Sequence, residues 1–144
     1  MRDNTIQFFT EDITYQIKRK EILRRGIIKL ITEKGFQVGD INIIFCSDRF
    51  LKRMNKRYLN HDYYTDVVAF DLSEKTEIIS GDIFISLDRI RENARIYHVS
   101  VIEETARIIC HGILHLSGMT DSTEELKLEM KVEEDKFLSN LYSV

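Results

Sequence analysis

The chain has 144 residues, 43% of them hydrophobic and 31% charged. That is the balance of a folded globular protein, and it excludes a disordered, collagenous or disulfide-stapled chain. Apolar runs such as Val67–Phe70 are only a few residues long, far short of the roughly 20 needed to span a bilayer. The net charge of −3 is unevenly spread: residues 121–144 hold 3 of the 21 Lys/Arg and 7 of the 24 Asp/Glu. The acidity therefore gathers at the C-terminal end, and the remainder is near neutral. No apolar segment follows Met1-Arg2-Asp3-Asn4, so no secretory signal is expected and the predicted location is cytoplasmic. Cys46 and Cys110 sit in apolar settings and read as reduced, buried thiols, with a bridge between them left open. Proline is absent, no linker or repeat is visible, and residues 1–144 are read as one domain.

In chain order, Thr5–Phe9 is predicted to be a short strand. Leu23, Ile27, Leu30 and Ile31 recur at helical spacing across Lys18–Lys34, and Gly35 supplies the stop. Gly39-Asp40 reads as a turn before the β-branched strand Ile41–Cys46. Ser47 or Asp48 caps a helix over Arg49–Leu59. Phe50, Met54 and Tyr58 share one side of that helix, and Arg49, Lys52, Arg53, Lys56 and Arg57 occupy the rest. After the Tyr-rich loop Asn60–Thr65, the strands Asp66–Leu72 and Gly81–Ser86 are joined by a connection of hairpin length, which suits antiparallel neighbours. Asp88–Tyr97 is a polar, Arg-rich helix. Ser100, with Glu103 at the capping-box position, opens a largely buried helix from Val101 to about Leu116, ended by Gly118. Ser122 or Thr123 starts the last helix, Glu124–Leu138, with Leu126, Met130, Val132 and Phe137 for the core and an acidic, solvated exterior.

His111 and His115 stand at i and i+4 on the buried helix, so both imidazoles leave the same face one turn apart. Two nitrogens at that spacing can meet one metal ion, as in zinc helices of the form H-E-x-x-H. Position 112 is Gly, so the general base built into that motif is missing. Gly in a helix interior costs about 1 kcal/mol against Ala, which suggests close approach of a backbone or a substrate. A catalytic zinc takes three protein ligands and leaves one position open. Asp121, six residues beyond His115 and past the Gly118 turn, is placed to swing back as the third. Without such a donor the pair reads equally well as two satisfied core histidines, with Asp121 capping the last helix.

The segment His111–Asp121, H-G-I-L-H-L-S-G-M-T-D, resembles the H-G-x-L-H-L-x-G-Y-D-H signature of the YbeY family of metal-dependent endoribonucleases. Met54-Asn55-Lys56-Arg57-Tyr58 is similar to that family's L-N-x-x-Y segment. Thr65–Phe70 (T-D-V-V-A-F) and Gly81–Ser86 (G-D-I-F-I-S) are similar to its T-D-V-L-S-F and G-D-I-x-I-S strands. The four blocks fall in the family's order across about residues 41–135. Three positions depart from the pattern: Asp121 replaces the third ligand His, Met119-Thr120 replaces Tyr-Asp, and Leu59 stands where the family carries an Arg implicated in catalysis.

The resemblance implies a zincin-like α+β fold, a mixed sheet of about four strands with about five helices packed on it and the two-His helix in a cleft. It implies one Zn²⁺, or another divalent ion, on His111, His115 and Asp121, the carboxylate leaning toward harder ions. The implied function is single-strand-directed cleavage of ribosomal RNA during its maturation and ribosome biogenesis, with the small ribosomal subunit as partner. His111 and His115 would serve catalysis through the metal, and Arg57 or Arg53 would take the place of the missing Arg. The attacking group is a water or the RNA's own 2′-OH. The cations Arg49, Lys52, Arg53, Lys56 and Arg57 are candidates to track a phosphate backbone, with Tyr58, Tyr63 and Tyr64 to stack on unpaired bases. Asp66 and Asp82 are candidates to hold a ligand histidine in place, although capping a turn serves them equally well; Asn55 is a candidate to support the site through the Thr65–Asp66 backbone, or equally could face solvent. His61 and His98 read as exposed. Two further readings stay open: a non-catalytic RNA- or ribosome-binding assembly factor with a structural metal, and a small metallopeptidase, which would want Glu at position 112.

Overall fold

The computed structural model describes residues 5–59 and 65–141. In chain order they form β1 (Ile6–Thr10), α1 (Lys20–Glu33), β2 (Gln37–Cys46), α2 (Asp48–Leu59), β3 (Val67–Asp71), β4 (Ile78–Ser86), α3 (Leu87–Tyr97), α4 (Val101–Leu116) and α5 (Glu124–Leu141). The sheet order is β1-β2-β4-β3. β1, β2 and β4 run parallel, and β3 pairs antiparallel with β4, Ala69 opposite Ile83. The α+β class, the four mixed strands and the five helices match the expectation from sequence. The Tyr63, Tyr64 and His61 predictions lie outside the described residues.

Strand alternation divides the sheet into two unlike faces. Ile41, Ile43 and Phe45 of β2, Ile79, Ile83 and Ile85 of β4, and Val67 and Ala69 of β3 join the main core with residues of α1, α4 and α5. The opposite residues, Cys46, Val68, Phe70 and Phe84, form a smaller cluster with Phe50 and Leu51 of α2. Phe84 stacks on Phe50 with ring centroids 6.3 Å apart, and Phe70 meets Phe84 edge-on. α4 and α2 therefore lie on opposite faces of one sheet. α3 packs against both α4 and α2.

Helix ends follow the local chemistry. Ser47, Ser86, Ser100 and Thr123 each accept a hydrogen bond from a backbone N–H three residues on, as N-caps do. Three sequence expectations change. Gly39-Asp40 is no turn but an irregularity within β2, where the register with β4 shifts between Val38 and Ile41 and Asp40 N–H bonds the Ser80 hydroxyl. Such a bulge extends the strand rather than ending it. Val132 is 64% exposed and leaves the core list. The buried stripe of α5 is Met130, Glu134, Phe137 and Leu141, so this helix is not uniformly acidic outside and apolar within. Tyr58 is exposed and makes an edge-on contact with Phe70 of the small cluster.

Candidate metal centre

The site is built on the face of α4 that turns from the sheet toward α5. His111 and His115 project from successive turns, their Nε2 atoms 2.9 Å apart. After Leu116 the chain reverses at Gly118, whose φ of 101° belongs to the left-handed region that glycine adopts without strain. Met119 N–H returns to the Leu114 carbonyl. This turn lays the Met119 carbonyl over His115 Nδ1 at 3.1 Å. It also brings Asp121 back, with Oδ2 at 3.5 Å from His111 Nε2 and Oδ1 at 3.9 Å from His115 Nε2.

A carbonyl only accepts hydrogen bonds, so His115 donates through Nδ1. The carboxylate of Glu134, reaching in from α5, meets His111 Nδ1 at 2.7 Å, so that ring donates there as well. Both rings in these tautomers turn Nε2 lone pairs toward each other and toward the Asp121 carboxylate. Three acceptors converging without a donor among them repel unless a cation, or a proton on one of the rings, lies between. Ligands about 2.0–2.2 Å from one tetrahedral ion stand about 3.3–3.6 Å from one another, and the three separations found here bracket that range. The donor set therefore fits a single divalent metal, and among the described residues it is the one His/Cys/Asp/Glu group with that convergence.

The surrounding charges act unequally on the two rings. Burial disfavours a charged His111, but the Glu134 hydrogen bond and the negative charges of Glu134, Asp66 and Asp121 outweigh it, and the net shift is upward. Burial and its neighbour His111 pull His115 down.

The centre opens into a cleft of about 510 Å³ between α3, α4 and α5. Asp66 lines it, its carboxyl raised from the ordinary value by burial. Glu104, 3% exposed, also lines it and is raised for the same reason, with Asn93 donating to it. Arg107, Lys127 and Lys131 supply the positive side of the wall.

Sequence reasoning brought together His111, His115, Asp121 and Asp66, and the structure does the same. Asp82 goes elsewhere. Its neighbour Ile83 faces Gly112 of α4, so Asp82 turns to the other sheet face, where it accepts from Asn42 Nδ2 at 3.0 Å. Asn55 is 2% exposed on the inner side of α2, away from solvent and on the sheet face opposite His111. Arg49, Lys52, Arg53, Lys56 and Arg57 ride on α2 and are not among the cleft residues. The Arg57 guanidinium stacks over the Tyr58 ring at 5.5 Å. α2 packs on the sheet face opposite α4. Gly112 has a packing reason rather than a substrate: a Cβ there would stand 2.8 Å from Ile83 Cγ2. Cys46 and Cys110 are both free and buried.

Glu134 and Arg107 were missed. The signal was available: Glu134 falls at the i+4 position between Met130 and Phe137 of the α5 stripe, an acid at a core position of an otherwise apolar seam.

This arrangement defines a small α+β domain with a candidate metal site made of two histidines on one helix and an acid beyond its end. Residues 5–142 match the family model described as endoribonuclease YbeY. The chain is 42% identical to the endoribonuclease YbeY of Cytophaga hutchinsonii over 139 residues, covering 96% of this chain and 97% of the relative. It is 44% identical to that of Parabacteroides distasonis over 138 residues, covering 94% and 95%. The solution structure of a Thermotoga maritima protein superposes with a TM-score of 0.63 over 95% of this chain and 89% of that one, at 24% identity, and so supports the fold. The chain belongs to the endoribonuclease YbeY family, a family of metal-dependent hydrolases. No helix among the described residues is long and apolar enough to cross a membrane.

Proposed function

We propose that this protein cleaves single-stranded segments of ribosomal RNA at the His111–His115–Asp121 centre during maturation of the small ribosomal subunit. The observation that carries the reading is the convergence of three acceptors on one point, two of them, from His111 and Asp121, lining the cleft. His111, His115 and Asp121 would hold the ion, zinc being favoured by the two imidazoles. When bound, it supplies a Lewis acid for a phosphoryl oxygen and lowers the pKa of a water. The chain supplies the rest. His111 Nδ1 and His115 Nδ1 stay protonated on Glu134 and Met119, so neither ring is free to shuttle a proton through that nitrogen. Asp66 lines the same cleft beside His111, with a carboxyl raised toward the range in which it can accept and return a proton. Lys127 and Lys131 on the cleft wall offer the positive charge that Leu59 no longer provides. The cations of α2 lie outside the cleft, and their role is to hold flanking RNA by its phosphates, a salt-sensitive interaction.

The test is cleavage of an end-labelled, structured ribosomal RNA fragment by the purified protein with added Zn²⁺, with chelator, and beside an identically purified His115→Ala variant. Metal-dependent cutting that the variant loses is the expected result. Equal cutting by both proteins would identify a contaminating nuclease. Salt-sensitive binding without any turnover would overturn the catalytic reading in favour of an assembly factor with a structural metal.

A further inference from the structure

We propose that Glu134, held by Arg107, is the positioning residue that fixes His111 as a metal ligand. The inference rests on the metal reading of the site and adds a residue from a helix that contributes no ligand of its own.

Glu134 is the exception on its helix. Glu124, Glu125, Glu129 and Asp135 of α5 are exposed, whereas Glu134 is 8% exposed and points inward with Met130, Phe137 and Leu141. An apolar side chain would fill that stripe without desolvating a charge, which is unfavourable for a lone ion. A buried carboxylate there has to be engaged, and both of its oxygens are. Oε1 accepts from Arg107 Nη1 at 3.1 Å and Oε2 from His111 Nδ1 at 2.7 Å. Arg107 is gripped in turn by Asp135, its Nη2 2.6 Å from Oδ1. Arg107 and His111 lie four residues apart on α4, so one carboxylate from α5 spans both and sets the ring plane.

The consequence for the ligand is specific. With its proton held at Nδ1, His111 presents Nε2 as a lone pair toward His115 and Asp121. The charge of the carboxylate also makes that nitrogen a better donor. His115 receives only a neutral carbonyl, at 3.1 Å. His111 is thus the more firmly oriented ligand, and the orientation comes from α5. A purely structural α4–α5 ion pair would need Arg107 and an acid, but not the contact to His111.

The experiment uses Glu134→Ala and the near-isosteric Glu134→Gln. The first readout is Zn²⁺ affinity by competition with a chromophoric chelator. The second is the His111 tautomer, by long-range proton–nitrogen NMR on the metal-free protein at a pH where the ring is neutral. Wild type should show the Nδ1–H form of His111. Glu134→Ala should lose that preference and bind Zn²⁺ about 10–100-fold more weakly. Glu134→Gln, whose amide oxygen still accepts but carries no charge, should keep the tautomer and fall between the two in affinity. Wild-type affinity and tautomer in a folded Glu134→Ala protein would overturn the proposal. If that variant does not fold, wild-type affinity in Glu134→Gln does so. A wild-type protein that binds no Zn²⁺ while showing the Nδ1–H form would instead defeat the metal reading and leave the Glu134–His111 contact standing.

Discussion

Gly112 sits between two opposed effects, and Gly112→Ala measures which is larger. Alanine is favoured over glycine in a helix interior by about 1 kcal/mol. Its Cβ would stand 2.8 Å from Ile83 Cγ2 and 3.2 Å from Ile83 Cδ1, whereas carbon atoms rest about 3.5–4.0 Å apart. Relief requires α4 or Ile83 to move by roughly 0.7 Å. Ile83 has little room to do so. It is 0% exposed, pairs with Ile43 on one side and Ala69 on the other, and its branched Cβ is stiff at χ1. Overpacking of this kind costs about 1–3 kcal/mol, so the net effect is a loss of about 1 kcal/mol and a Tm lower by about 3 °C. Urea unfolding should show a lower midpoint at unchanged slope. The decisive arm is the Ile83→Ala background. That change alone costs about 2–5 kcal/mol through the cavity it leaves, but it also removes the clash, so adding Gly112→Ala should then stabilise by about 1 kcal/mol. The sign reversal is the signature of contact between the two residues. If Gly112→Ala stabilises equally in both backgrounds, the glycine is not there to let α4 approach the sheet.

Three further outcomes follow from the site and core. Asp121→Ala should weaken metal binding in competition titrations, while Asp121→His should keep three donors and favour Zn²⁺ over Mn²⁺ more strongly than wild type; an Asp121→Ala protein that binds like wild type would remove Asp121 from the ligand set. Burial raises the Glu104 carboxyl, so the folded state binds its proton more tightly than the unfolded state does. Glu104 therefore destabilises at neutral pH, and this penalty fades as pH falls through the raised value to the ordinary one. Glu104→Gln, which still accepts from Asn93, should raise Tm at pH 7 and lose that advantage near pH 4, and an equal gain at both pH values would contradict the assignment. Burial pushes the Cys46 thiol up to about 12 and the Cys110 thiol further, so iodoacetamide at pH 8 should label neither in the folded protein and both after unfolding, as read by intact mass. Labelling of the native protein at the rate of a free thiol would show that they are not packed as described.

The elements were largely legible in the sequence because their signals are local. Helical periodicity, serine and threonine caps and the glycine stops each act within a few residues, and the expectation of α4 from Val101 to about Leu116 agrees with the helix found. The His111–His115 spacing and the Asp121 return are equally local, since one helix turn and one left-handed glycine determine them. What the chain could not show by itself is which element covers which face. The cations of α2 and the histidines of α4 read as parts of one surface until strand alternation put Phe84 and Ile83 on opposite sides of the sheet. Asp82 went with the far side for the same reason. Glu134 lies 23 residues from His111 along the chain, and its inward direction depends on how α5 docks. Periodicity marks a buried stripe, but packing alone decides that an acid in that stripe meets an imidazole rather than water.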